Sequence, residues 1–277
     1  MPHAAVLSTS SVPAHTMLHW RWDQKGGCAH TMPSSNGLAG AGRPGPVAIF
    51  GSGEAATSSR RVHERLLESL PVPVEVAIVE TPAGFQPNVD VVSSKIGGYL
   101  EHHLQNFKPR ITFVRARRRA TIDDPNSPEV AAPLRTARYI VAGPGSPTYA
   151  IRQLRDTLTW RLLQERHQEG ATIALASAAA LAFSAHTLPV YEIYKAGDDL
   201  GWVPGLDLFG RHGLELAIIP HWNNREGGKD LDTSHCFMGE DRFRLLLGML
   251  PATATVLGID EHTSCIVDVT EGRCDVM

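Results

Sequence analysis

Residues 171–184 read Ala-Thr-Ile-Ala-Leu-Ala-Ser-Ala-Ala-Ala-Leu-Ala-Phe-Ser. Thr172 to Ala176 is a short apolar run, Ser177 interrupts it, and Ala178 to Phe183 continues as a run of good helix formers. Strand, sharp turn, helix is the setting in which a serine is pushed out at the top of a sheet as a nucleophile. The hydroxyl then sits at a helix N-terminus, where the positive dipole end favours developing negative charge. The same residues also fit a buried strand-to-helix connection in which Ser177 is only an N-cap.

Working outward, the preceding residues repeat this alternation. Val47 to Phe50 is a buried-strand run closed by Gly51-Ser52-Gly53-Glu54, and a helix follows from Ser58 to Leu70. Gly-Ser-Gly is too short for a phosphate cradle and lacks a following Lys-Ser or Lys-Thr, so close backbone packing is the better reading. Further strands are expected at Val74 to Glu80, Ile111 to Val114 and Tyr139 to Ala142, with helices at Asn88 to Phe107, Thr148 to Leu154 and Thr157 to Gln168. This order predicts an α/β fold: an open, mostly parallel sheet with helices on both faces, three layers in all, as in flavodoxin-like folds. Its ligands bind at the carboxyl ends of the strands, so the turns at Gly51, Thr81, Arg115, Gly143 and Ser177 should open on one edge.

After Ser184 the pattern changes. Leu188 to Tyr194 alternates and reads as an added strand or hairpin, while Leu214 to Ile219 and Thr255 to Ile259 read as buried strands. Cys265 to Val269 closes the sheet. Residues 1–45 mix Ser, Thr, His, Pro and Gly without a period and read as an unstructured leader, with Leu18 to Trp22 its one apolar spot. Residues 46–277 form a single domain.

Composition narrows the function. The 277 residues are 43% apolar, enough for a full core, and the formal net charge of -3 argues against nucleic acid or an anionic membrane as partner. The cluster Arg115 to Arg119 reads as a solvated loop or a patch for an acidic ligand. Cys28, Cys236, Cys265 and Cys274 form no C-x-x-C pair, which fits free thiols in a reducing cytoplasm.

A hydrolytic serine needs a base, a carboxylate to orient it, and donors for the oxyanion. Ser177 is the candidate nucleophile, His221 the base and Glu261 the acid, with the backbone amides near Gly145 and Ala178 as oxyanion donors. The segments that carry these residues, Gly143-Pro144-Gly145-Ser146, Leu175 to Ala180, Pro220-His221-Trp222-Asn223-Asn224 and Gly258 to Thr263, stand in an ordered series. In that order they resemble the serine peptidase branch of the class I glutamine amidotransferase-like fold, which contains dipeptidase E and cyanophycinase. The resemblance spans Pro46 to Val269 and implies the order serine, histidine, carboxylate. It departs at Leu175 and Ala179, where the family usually has glycine.

Trp222, Asn223, Asn224 and Glu226 are expected to shape the substrate pocket. His235 is a rival base, and a histidine-last order would use His262 with Asp207. A metal reading would gather His221, Glu226, His235 and Cys236, whose spacing matches no regular zinc pattern. The reading that follows is a cytoplasmic serine hydrolase that cleaves small peptides or amide conjugates, with no metal or organic cofactor required and homodimerisation left open. The alternative is a catalytically inactive small-molecule or partner-binding protein on the same fold.

Overall fold

The computed structural model describes residues 42–277, together with the backbone of three short strands, Ala4–Ser8, Arg21–Trp22 and Cys28–Ala29. Most of the expected leader, including Leu18 to Trp20, lies outside the described residues. Five parallel strands form the centre: β1 (Val47–Phe50), β2 (Glu75–Val79), β3 (Arg110–Val114), β4 (Tyr139–Ala142) and β5 (Thr172–Ala176). Their spatial order is β1-β5-β4-β2-β3. β8 (Ser264–Asp268) joins β1 antiparallel, and β9 (Arg273–Val276) joins β8 antiparallel.

β1, β5, β4 and β2 are buried on both faces, as a parallel sheet covered by helices requires, whereas the edge strand β3 leaves Arg110 and Thr112 exposed. Val47, Ile49, Ile173 and Leu175 face one apolar core, completed by Leu154, Trp160 and Leu163. Ala48, Phe50, Ala174 and Ala176 face the other, completed by Val62, Leu66 and Leu100. The first core packs under α3 (Pro147–Leu154) and α4 (Leu158–Gln168), whose first turns are capped by Ser146 and Thr157. The second packs under α1 (Arg60–Leu67) and α2 (Val89–His103).

The last third departs from the single expected sheet. β6 (Leu216–Ile219) and β7 (Thr255–Ile259) pair in parallel with each other, in a second sheet. One face, with Ala217, Ile219 and Val256, packs on Leu181, Phe243 and Leu246 under α6 (Gly239–Leu247), while Leu216, Ile218, Leu257 and Ile259 join the first core. The five-residue helix α5 (Ala178–Ala182) follows β5. Leu188 to Tyr194 is not a strand. Only His186–Thr187 pairs, with Val203–Pro204, and the chain then forms a single π-helical turn at Glu192–Ala196. The apolar residues Leu188, Val190 and Ile193 are all buried, so the apparent alternation reflects a partly buried irregular segment.

Two further expectations are corrected. Cys265 and Cys274, on the adjacent strands β8 and β9, are joined by a disulfide, so the four thiols are not all free. Arg117 is neither a solvated charge nor a free anion site. Its guanidinium meets Glu80 at 2.6 Å and also pairs with Asp90 and Asp123.

Gly51 joins the two sheets. Its amide donates to the Thr263 carbonyl at 2.9 Å, and its carbonyl accepts from the His221 amide at 3.1 Å. A Cβ at this position would lie 2.0 Å from the Asp260 carbonyl oxygen, so only glycine fits.

The buried histidines of this fold set its acid stability. His63 is 1% exposed, and its Nε2–H donates to the Glu54 carbonyl while its Nδ1 accepts from the Tyr139 hydroxyl. Burial pulls its pKa down to about 4, and burial does the same to His167. Both rings are neutral when folded and charge when unfolded near pH 6.5. The unfolded chain therefore binds the extra protons between pH 6.5 and 4, so stability is full above that window and falls as pH falls through it. We predict a loss of roughly 2 kcal/mol per histidine between pH 7 and pH 5 in urea unfolding. Replacing His63 with Gln should flatten its share of the slope. A pH-independent midpoint over this range would contradict the assignment.

Candidate active site

The residues expected at the carboxyl edge do assemble there. Phe50 is in register with Ala176, and Ala142 with Leu175, so the turns at Gly51, Gly143 and Ser177 leave three neighbouring strands at nearly one level. Ser177 has φ 51° and ψ −116°, a backbone conformation that L-residues rarely adopt. Such a residue costs about 1–3 kcal/mol and persists only where its surroundings hold it. The flanking alanines supply that hold: Ala176, Ala178 and Ala179 are all buried, and the Ala179 amide donates to the Gly143 carbonyl at 3.3 Å.

The family's glycine positions are not needed here. Leu175 lies within β5 and Ala179 within α5, and neither has a positive φ. The strain falls on Ser177 itself. Nor is Ser177 a cap: its side chain makes no capping hydrogen bond. Its Oγ instead lies 3.1 Å from His221 Nε2.

His221 follows β6 and also has a positive φ, 53°. Its Nδ1 lies 2.9 Å from Glu261 Oε1 in the loop after β7. A carboxylate only accepts, so Nδ1 carries the proton and Nε2 presents its lone pair to the Ser177 hydroxyl. The three side chains are thus in series, with His221 and Glu261 19% and 27% exposed. Burial pushes the Glu261 carboxyl up, but hydrogen bonds from Asn224 and His221 outweigh this and hold it below the usual carboxylate range.

The neighbouring polar residues serve the acid. Asn224, 1% exposed, donates to Glu261 Oε1 at 2.9 Å, and Asn223 Oδ1 accepts the Glu261 amide at 2.8 Å. Both side chains, expected at a substrate pocket, are committed to Glu261. Trp222 packs its ring over Gly258, where a Cβ would come within 2.2 Å of it, and meets the Phe243 ring edge-on. It packs against the core under α6. Glu226 is exposed, with its amide bound to Asn224 Oδ1.

His235 does not take the base position. It stacks on Phe243 at 4.7 Å and hydrogen bonds to Ser234 at 3.0 Å. It supports His221 from behind, since the amides of His235 and Cys236 donate to the carbonyls of Trp222 and His221. Among the described residues no group of three His, Cys, Asp or Glu side chains is placed to hold a metal. No helix among them is long and apolar enough to cross a membrane.

The amides of Gly145 and Ala178 donate to no described residue. Gly145 has φ 147°, and a Cβ there would lie 1.9 Å from the Pro82 carbonyl oxygen. That carbonyl accepts the next amide, Ser146, at 2.9 Å, which fixes the turn.

No family description matches the sequence, and no curated protein matches it. Solved structures do match the fold. One is a peptidase from an acI-B1 actinobacterium, with a TM-score of 0.62 and 21% identity over 81% of this chain and 84% of that one. Another is a protein described as a peptidase E from Listeria monocytogenes EGD-e, with a TM-score of 0.55 and 13% identity over 84% of this chain and 98% of that one. The chain therefore has a peptidase E-like fold.

The turn geometry yields a stability test. Gly145→Ala combines a disfavoured φ with a backbone collision, and should cost about 2 kcal/mol or more. Thermal or urea unfolding measures this. A variant as stable as the parent would show that the turn is not held as described.

Proposed function

We propose that this protein is a serine hydrolase that cleaves peptide or amide bonds, with Ser177 as nucleophile, His221 as base and Glu261 as the orienting acid. The observation that carries the reading is the unbroken contact series from Ser177 Oγ to His221 Nε2 and from His221 Nδ1 to Glu261, starting from a strained serine. Neither a helix cap nor a buried connection requires such a series. The peptidase names of the fold's neighbours agree with it.

The mechanism follows from the tautomer. His221 Nε2 takes the Ser177 proton as Oγ attacks the substrate carbonyl carbon. The carbonyl π electrons move to oxygen, and that oxyanion accepts hydrogen bonds from the unpaired Gly145 and Ala178 amides. The imidazolium is stabilised by Glu261, kept ionised by Asn224 and by His221 itself. When the intermediate collapses, the C–N bond breaks and the amine leaves with the proton from Nε2. Water then attacks the acyl-enzyme by the reverse proton path and releases the acid.

An active-site-directed fluorophosphonate tests this reading. Wild-type protein should gain one adduct, on Ser177, and Ser177→Ala should gain none, as read by mass spectrometry. Glu261→Gln should slow labelling by roughly 10²- to 10⁴-fold, on the scale of triad carboxylates. Asp260→Asn should label within a few-fold of wild type. Folded protein that takes no adduct would support a non-catalytic binding protein. A slow Asp260→Asn beside a normal Glu261→Gln would move the acid to Asp260.

A further inference from the structure

The carboxyl edge carries one pocket that the triad does not use. It lies between the end of β2 and the first half of α2, lined by Val79, Val89, Val92, Ile96, Gly143 and Pro144. Gly143 and Pro144 open the turn that ends at Gly145, and the Gly143 carbonyl is bonded to the amide of Ala179, two residues past Ser177. The pocket therefore shares a wall with the candidate oxyanion turn. A Cβ on Gly143 would lie 2.9 Å from Ile96 Cδ1, so glycine keeps this wall open.

Charge at the pocket is negative in sum, with Arg117 as the cation beside Glu80. Glu80, 3% exposed, lies in its lining with Ser93, whose hydroxyl donates to it at 2.8 Å. The Arg117 guanidinium that pairs with Glu80 is already shared with Asp90 and Asp123, which leaves the group net negative. A further carboxylate stands at Gly143: Glu54 Oε1 is 3.8 Å from the point where a Gly143 Cβ would be. No side chain among the described residues donates a hydrogen bond to the Glu54 carboxylate. Its loop is fixed from below, because His63 donates to the Glu54 carbonyl at 2.7 Å, Ser59 to that of Gly53 at 2.6 Å and Tyr99 to that of Ala56 at 2.8 Å.

We infer that this pocket receives a small apolar side chain of the substrate, on the residue whose carbonyl Ser177 attacks, and that Glu54 and Glu80 exclude an acidic one. The inference rests on the hydrolase reading above and deepens it. Walls of valine, isoleucine and proline reward each buried methyl group, and one extra methylene in such a pocket is worth about 10- to 200-fold in rate. A carboxylate entering the pocket would lose water while facing two carboxylates, an unfavourable exchange on both counts. Burial already pushes the Glu54 carboxyl up, against the opposing effects of its own amide and of His221.

Peptidyl diphenyl phosphonates that differ only in the residue at the phosphorus test this directly. Probes bearing valine, glycine and aspartate side chains would be compared by their second-order labelling of Ser177. The valine probe should react at least tenfold faster than the glycine probe and at least 100-fold faster than the aspartate probe. Val92→Trp, at a half-buried position in the lining, should bring the valine-to-glycine ratio to about one in protein shown by its unfolding midpoint to be folded. Glu54→Gln should reduce the valine-to-aspartate ratio about tenfold. Equal rates for all three probes, or ratios that neither variant moves, would overturn the assignment even where a small fluorophosphonate labels normally. If neither reagent class labels the folded protein, the hydrolase reading falls. Calorimetry of Val-Ala against Asp-Ala binding then decides the pocket separately, with preference for Val-Ala sustaining it and preference for Asp-Ala overturning it.

Discussion

The site depends on a backbone junction at Gly51, where the two sheets of the molecule meet. Ser177 belongs to the first sheet, whereas His221 and Glu261 follow strands of the second. Nothing in either sheet alone brings the hydroxyl to the imidazole. The Gly51 carbonyl accepts the His221 amide, and its amide donates to Thr263 just past Glu261, so one residue ties both loops to the top of β1. The collision that any Cβ would make with the Asp260 carbonyl shows how close that approach is. The two sheets also share an apolar core, where Leu216, Ile218, Leu257 and Ile259 pack with Val47, Ile49, Ile173 and Leu175, and the Gly51 bonds set the loop positions above it to hydrogen-bond precision.

Around this junction the backbone accepts unfavourable conformations. Ser177 and His221 both have positive φ, and His235, Cys236 and Phe237 form a consecutive left-handed run behind the histidine loop. Strain of this kind accumulates where side-chain direction matters more than local comfort. The restoring forces are visible: buried alanines around Ser177, amide bonds from His235 and Cys236 to the His221 segment, and the Asn223 and Asn224 side chains on Glu261. Asn224 holds the carboxylate in place and favours its ionised form, while Asn223 fixes the Glu261 backbone.

Much of the first half was legible in the sequence because its signals are local. Val47 to Phe50 and Thr172 to Ala176 are short apolar runs bounded by turn residues, and burial on both faces makes them read as parallel strands. Ser177, His221 and Glu261 could be picked out as candidates because each sits at the end of such a run. The second sheet was not legible, since a strand's sequence does not say which neighbour it pairs with. The π-turn at Glu192–Ala196 was misread because its buried residues mimic alternation. The Cys265–Cys274 pair was missed because cross-strand neighbours need a register before their spacing means anything. The work of Asn223 and Asn224 depends on a loop contact made across 37 or 38 residues, which no local pattern encodes. Glu54 had no signal beyond its place after a glycine-rich turn.

The central claim is that the edge is prepared for a tetrahedral oxyanion beside Ser177 before any substrate arrives. A crystal structure of the phosphonylated protein tests it most directly. The account predicts phosphorus bonded to Ser177 Oγ, with the phosphoryl oxygen about 2.7–3.1 Å from the amide nitrogens of both Gly145 and Ala178 and the surrounding backbone little moved. A phosphoryl oxygen turned to solvent, or held by other groups after the Gly143–Ser146 turn has rebuilt, would contradict it.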